Sequence, residues 1–122
     1  MTGYYDVTVE DSFSASHSVR LPDGRYEPSH EHAWRVRVTF RSAALNDAGF
    51  VVDFVEAQAV LCQVCGELGG GDLNVRTQHP TGASAERVAH WLFKRITALL
   101  HASVHRVDVT EAAGCTAAYA TD

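Results

Sequence analysis

The chain has little lysine: Lys94 is the only one, and arginine supplies the rest of its ten basic residues. Against 15 acidic residues this leaves a formal charge of -5, so there is no basic surplus to neutralise phosphate and no nucleic-acid partner is expected. Cysteine is also scarce. Cys62, Cys65 and Cys115 are too few and too irregularly spaced for a disulfide framework, and a reduced, cytoplasmic protein is expected. No apolar run approaches the roughly 20 residues of a membrane helix, which excludes a helical span and a membrane partner. Met1 to Asp11 are polar and mixed, unlike the apolar centre of a signal peptide. There is no repeat, no low-complexity tract and no linker. The 122 residues, 46% hydrophobic and 20% charged, read as one globular domain, 1–122.

What is present is clear patterning. Tyr5, Val7, Val9, Phe13, Ala15 and His17 share one parity, broken only by Asp11, with serines at 12, 14 and 16 on the other. Such alternation predicts a strand with one buried face. A turn follows at Leu21-Pro22-Asp23-Gly24. Trp34, Val36, Val38 and Phe40 then alternate with Arg35, Arg37, Thr39 and Arg41, predicting a second strand antiparallel to the first.

The period changes to 3.6 after Asp53, which with Glu56 reads as a capping box. Phe54, Ala57, Leu61, Val64 and Leu68 form the stripe of a helix that Gly69-Gly70-Gly71 ends. Ser84 caps a second helix with Ala85, Val88, Leu92, Ile96 and Leu99 on its apolar side. Two closing strands, Val104 to Glu111 and about Thr116 to Ala120, flank a turn at Ala113-Gly114. The order ββααββ predicts an α+β domain: a four-stranded antiparallel sheet with two helices on one face.

Parity also gathers the chemistry. If the second strand reaches back far enough, His30 and His32 share the face of Trp34, and His17 shares that of Phe13 and Ala15. Three neutral imidazoles with an open fourth position are the ligand set of a catalytic zinc. The alternative is three strand-end histidines bonded to backbone or water. Glu111 has the parity of Val107 and Val109, so its carboxylate ends a strand on the apolar side and needs a partner there. That partner is either an arginine or a ligand with a guanidine-like edge, which takes a bidentate pair of hydrogen bonds.

Read together, these segments resemble the 6-pyruvoyl-tetrahydropterin synthase and 6-carboxy-tetrahydropterin synthase family, from Phe13 to Tyr119. Phe13 to His17 resembles F-x-A-x-H, and His30-Glu31-His32 resembles H-G-H. Gly49 to Phe54 resembles G-x-V-x-D-F, and Leu73-Asn74 the L-N that closes a catalytic loop. Ser84-Ala85-Glu86 stands where P-T-S-E opens a helix, and Val109-Thr110-Glu111 with Tyr119 resembles the V-x-E strand and the tyrosine beyond it. The resemblance implies a tunnelling fold whose sheets close into a barrel, commonly in a homohexamer. It implies zinc on His17, His30 and His32, and a pterin whose amino-pyrimidine edge is held by Glu111.

The departures concern proton handling. The family cysteine four residues before H-G-H is replaced by Tyr26, and the Asp-His pair of L-D-H-x-x-L-N by Gly69 and Gly70. Glycine offers no titratable group, and acid-base catalysis needs one within hydrogen-bond reach. Some members of the superfamily use a glutamate just upstream of the metal histidines. Glu27, three residues before His30, is placed for that, or is simply a solvated loop carboxylate beside Pro28. His79 could approach from its loop, and Asp72 is a weaker substitute. Glu31 replaces the family glycine between the two ligands and should point to the opposite face. Cys62-Gln63-Val64-Cys65 sits inside a helix without a second pair, which makes it packing rather than a redox motif. The glycine run lacks the Lys-Ser/Thr of a phosphate loop.

Two functions are compatible with this pattern. One is a pterin-binding homologue that has lost the standard synthase reaction. The other is an active zinc-dependent lyase on a reduced pterin or related substrate, with Glu27 or His79 as substitute acid or base.

Overall fold

A computed structural model describes residues 3–122. The elements follow in the order β1 (Tyr5–His17), β2 (His30–Ser42), α1 (Phe54–Leu68), α2 (Leu73–Arg76), α3 (Ala85–Leu99), β3 (Val104–Ala112) and β4 (Cys115–Ala120). The strands form one antiparallel sheet in the order β1-β2-β3-β4. The opening segment is thus largely the first half of β1; Met1 and Thr2 lie outside the described residues.

The alternation in β1 and β2 has the expected consequence. Val9, Phe13, Ala15, Trp34, Val36, Val38 and Phe40 are all buried, facing the helices. The opposite face carries Arg35, Arg37, Arg41, Asp6, Glu10 and Asp108 around an open groove of about 970 Å³. Helix α1 begins at an N-cap in which Asp53 accepts from the Val55 backbone N–H, and it buries Ala57, Leu61, Val64, Cys65 and Leu68. Ser84 caps α3 by accepting from Arg87 N–H, and Val88, Ala89, Leu92 and Ile96 form its buried stripe. Among the described residues no helix is long and apolar enough to cross a membrane.

Two details differ from the sequence reading. Phe54 is 60% exposed. It has the angular position of the α1 stripe, but in the first turn the ring finds no layer to pack against. The segment after the glycine run also contains α2, a single turn whose N-cap Asp72 accepts from Asn74 N–H. Four residues are too few to show a helical period.

Candidate functional site

Antiparallel pairing sets His17 opposite His30, and Ala15 opposite His32. β2 therefore does reach back to His30, and three imidazoles meet at one end of the sheet. Ligand nitrogens of His17, His30 and His32 all lie within 4.8 Å of one another. The buried Trp34 forms the wall beside them, its ring edge-on to His17 at 4.8 Å and to His32 at 5.6 Å. Its Nε1–H donates to the Ala15 carbonyl at 3.1 Å, which fixes the indole.

The hydrogen bonds assign the tautomers. His17 Nδ1 lies 2.8 Å from the Ala83 carbonyl, and His30 Nδ1 lies 2.9 Å from the Pro28 carbonyl. A carbonyl only accepts, so both Nδ1 atoms carry the proton and both neutral rings present a lone pair at Nε2. Yet those two Nε2 atoms are 3.1 Å apart, and Glu111 Oε1 stands 3.0 Å from His17 Nε2. Two arrangements satisfy these contacts: a proton on His17 Nε2 donated to Glu111, or a divalent metal ion among the nitrogens, for which an imidazole with its Nδ1–H tied to a carbonyl is the ligating form. The three histidines fit a metal.

Glu111 owes its position to a local irregularity. The β3–β4 register shifts between Thr110 and Ala112, so Glu111 is the additional residue of a β-bulge, a device that re-aims a side chain. Its side chain remains 30% exposed. Among the described residues its ion-pair partner is His17 and not an arginine.

Glu27 lies at the end of a tight excursion between β1 and β2, where Leu21 O accepts from Gly24 N–H and Val19 O from Glu27 N–H. Its Oε1 accepts from the Val19 N–H at 3.1 Å and stands 3.9 Å from His30 Nε2. The carboxylate is anchored beside the cluster and only 26% exposed. His79 is half-buried in the loop after α2 and is not a member of the imidazole cluster. Asp72 is committed to capping α2, and Tyr26 is exposed. Glu31 is exposed and within β2, with no positive φ, so this chain does not need a glycine between its two histidines.

The glycine run is built differently from a loop that carries side chains. Gly70 N–H donates to Ser14 O at 2.7 Å, and Ser16 N–H to Gly71 O at 3.0 Å, so the run pairs with the free edge of β1. Gly70 has φ +74°, a left-handed conformation that a histidine would adopt only under strain. Burial pushes the Cys65 thiol up to about 12, which keeps it protonated and supports its reading as a packing residue.

Three contributors escaped the sequence reading. The Ala83 carbonyl, and the bonds by which Asn74 of the L-N pair reaches Ser18 and Ala83, join segments far along the chain from His17, and the glutamate's bulge left no mark in the residue pattern. Trp34 had a signal: it follows His32 by two on the same face.

A family model described as 6-pyruvoyl tetrahydropterin synthase matches residues 6–122. Among solved structures, the chain is similar to Caenorhabditis elegans 6-pyruvoyl tetrahydropterin synthase, at 16% identity over 99% of this chain and 98% of that one, with TM-score 0.81. It is similar to the Plasmodium vivax enzyme at 18% identity over 96% and 97% of the two chains, with TM-score 0.79. Two further structures of that P. vivax enzyme are catalytic-residue mutants in which a glutamate is replaced by alanine or by cysteine. An uncharacterized protein from Wolinella succinogenes is similar at 16% identity over 99% and 100% of the chains, with TM-score 0.79. None of the curated proteins compared is similar enough in sequence to count as a match.

Proposed function

The chain belongs to the 6-pyruvoyl tetrahydropterin synthase family, and on that footing we propose that it is a pterin-binding protein with a three-histidine zinc centre that does not perform the standard synthase reaction. The observation that carries this reading is the Glu111 carboxylate, re-aimed by its bulge to within 3.0 Å of His17. A carboxylate there takes the N–H and amino donors of an amino-pyrimidine edge as a bidentate pair. The ligand's remaining atoms then lie beside the imidazoles. Zinc suits an all-imidazole set, and when bound it supplies a Lewis acid that polarises a ligand hydroxyl or carbonyl. The chain's own residues orient the ring, wall off one side with Trp34, and hold His17 and His30 in one tautomer.

The proton-handling positions support the loss of the reaction. Tyr26 is exposed, and Gly69 and Gly70 offer only backbone atoms, Gly69 bonded to Cys65 at the end of α1 and Gly70 to Ser14 of β1. A homo-oligomer, a hexamer of this family's barrel form, suits the polar sheet face and edge strands that need cover. A cytoplasmic setting suits three unpaired thiols.

A second reading is favoured by one observation, the anchored Glu27 carboxylate 3.9 Å from His30 Nε2. In that reading the protein is an active zinc-dependent lyase on a reduced pterin, with Glu27 as the acid or base; His79, outside the cluster, is the poorer substitute. Incubating zinc-loaded protein with dihydroneopterin triphosphate separates the two. The first reading gives binding without products, and the second gives a product that disappears in Glu27→Gln.

A further inference from the structure

We propose that Asn74 is a positioning residue for the metal centre: it ties down Ala83, the residue whose carbonyl fixes His17 in its ligating tautomer. The inference rests on the metal reading above and extends it to a residue that touches neither metal nor ligand.

Asn74 lies in α2 and is 7% exposed. Its side-chain amide uses every hydrogen-bonding position it has. Oδ1 accepts from the Ser18 N–H at 3.1 Å and from the Ala83 N–H at 3.3 Å. Nδ2 donates to Ser18 Oγ at 3.3 Å and to the Pro80 carbonyl at 3.3 Å. The two backbone N–H groups fix which way the amide points, since a flipped amide would set donors against donors.

The two segments so joined are the two that define His17. Ser18 follows it directly in the chain. Ala83 supplies the carbonyl that takes the Nδ1 proton at 2.8 Å. Between Thr77 and Ser84 the chain is a loop with two unusual backbone positions, Gln78 at φ +60° and Gly82 at φ +157°. Beside the Asn74 side chain, its holds are backbone bonds to Asn74 and Val75, an internal bond from Gly82 N–H to His79 O, a bridge from Gly82 to Val19, and the Arg87 guanidinium donating to the Gly82 carbonyl at 2.9 Å; of these side chains only Asn74 reaches both Ala83 and the residue after His17. A Cβ on Gly82 would sit 3.4 Å from the Val19 Cα, so the loop approaches β1 closely where Asn74 ties it.

Asn74 holds the N–H side of Ala83, one peptide plane before its carbonyl; removing the amide loosens the residue that presents that carbonyl, and the His17 proton is then shared between Nδ1 and Nε2. An Nε2 that carries a proton cannot ligate. Partners at this remove from a metal typically cost 10- to 100-fold in affinity when lost.

The test is zinc affinity, measured by competition with a chromophoric chelator, together with the imidazole nitrogen NMR signals of metal-free protein. Asn74→Ala is expected to bind zinc about 10- to 100-fold more weakly and to show His17 as mixed tautomers. Asn74→Ser, whose hydroxyl cannot reach both backbone amides, carries the same expectation should the alanine variant not fold. Val64→Ala, a buried substitution in α1 away from the site, is expected to lower the melting temperature but leave zinc affinity unchanged. Zinc binding as tight as wild type with a single His17 tautomer in the Asn74 variants overturns the inference. So does an equal loss of affinity in Val64→Ala, which would mark a general effect of stability. Wild-type protein that takes up no zinc contradicts the metal reading instead, and the tautomer signals of the metal-free protein then decide on Asn74 alone.

Discussion

Glu111 Oε1 and His17 Nε2 stand 3.0 Å apart, and the carbonyl of Ala83 has already claimed the other nitrogen of that imidazole. The Nε2 that faces the carboxylate is thus the one nitrogen of His17 left to hold a proton or a metal ion. This relationship joins the two halves of the site, the imidazole cluster and the carboxylate on the β3 bulge, and it generates most of what can be tested.

The cluster itself comes first. His17→Ala and His32→Ala remove ligands from a three-residue set and are expected to leave the purified protein without stoichiometric zinc, while wild type carries about one ion per chain, as a His₃ set with an open fourth position does. Elemental analysis after dialysis checks this. Zinc retained in both variants would mean that the imidazoles are a packing feature of the sheet end.

Turnover is the second. The protein is expected not to convert dihydroneopterin triphosphate to either product of its family at a useful rate, since loss of a general acid or base alone costs about 10²- to 10⁴-fold. Restoring the pair as Gly69→Asp with Gly70→His is expected not to recover activity, because Gly70 sits at φ +74° where a histidine costs about 1–3 kcal/mol. Rates are read by chromatography of the pterin products. Ordinary turnover in the unmodified protein that vanishes in Glu27→Gln would establish the lyase reading.

The outline of this site was legible because strands carry a period of two. His17, His30, His32 and Glu111 could each be placed on a face from their neighbours, and the family motifs supplied the same positions. What parity could not supply was aim and support. The bulge at Glu111 is a property of the pairing between β3 and β4, and one-residue shifts of that kind leave no mark in a single strand's pattern. Asn74 and Ala83 reach His17 and Ser18 from more than fifty residues away, and no local rule joins segments that distant. Phe54 failed for a related reason: helical angle is encoded locally, but whether a layer lies beneath the first turn is not. For Glu27 the pattern left two places open, beside the metal histidines or in solvent, because its bond to Val19 depends on a backbone excursion closing on itself.

The cysteines give an independent check on the packing. Cys65 is buried in α1 and its thiol is pushed up to about 12 by burial, whereas Cys62 and Cys115 are exposed. The thiolate is the reactive form. Iodoacetamide at pH 8 is expected to modify Cys62 and Cys115 in native protein, and Cys65 only in denaturant, as read by peptide mass spectrometry. Labelling of Cys65 at the rate of Cys62 would show that α1 does not bury the face assigned to it.

The most direct test of the central claim is a calorimetric titration of neopterin into wild-type protein and into Glu111→Gln, both of known zinc content. A hydrogen bond to a charged group contributes roughly 1.5–3 kcal/mol, and glutamine keeps the shape while turning one acceptor into a donor. Saturable binding by wild type, weakened about tenfold or more in Glu111→Gln with zinc content unchanged, is the predicted result. No binding by zinc-loaded wild type, or equal affinity in the two proteins, would contradict the pterin pocket and leave Glu111 as a structural partner of His17.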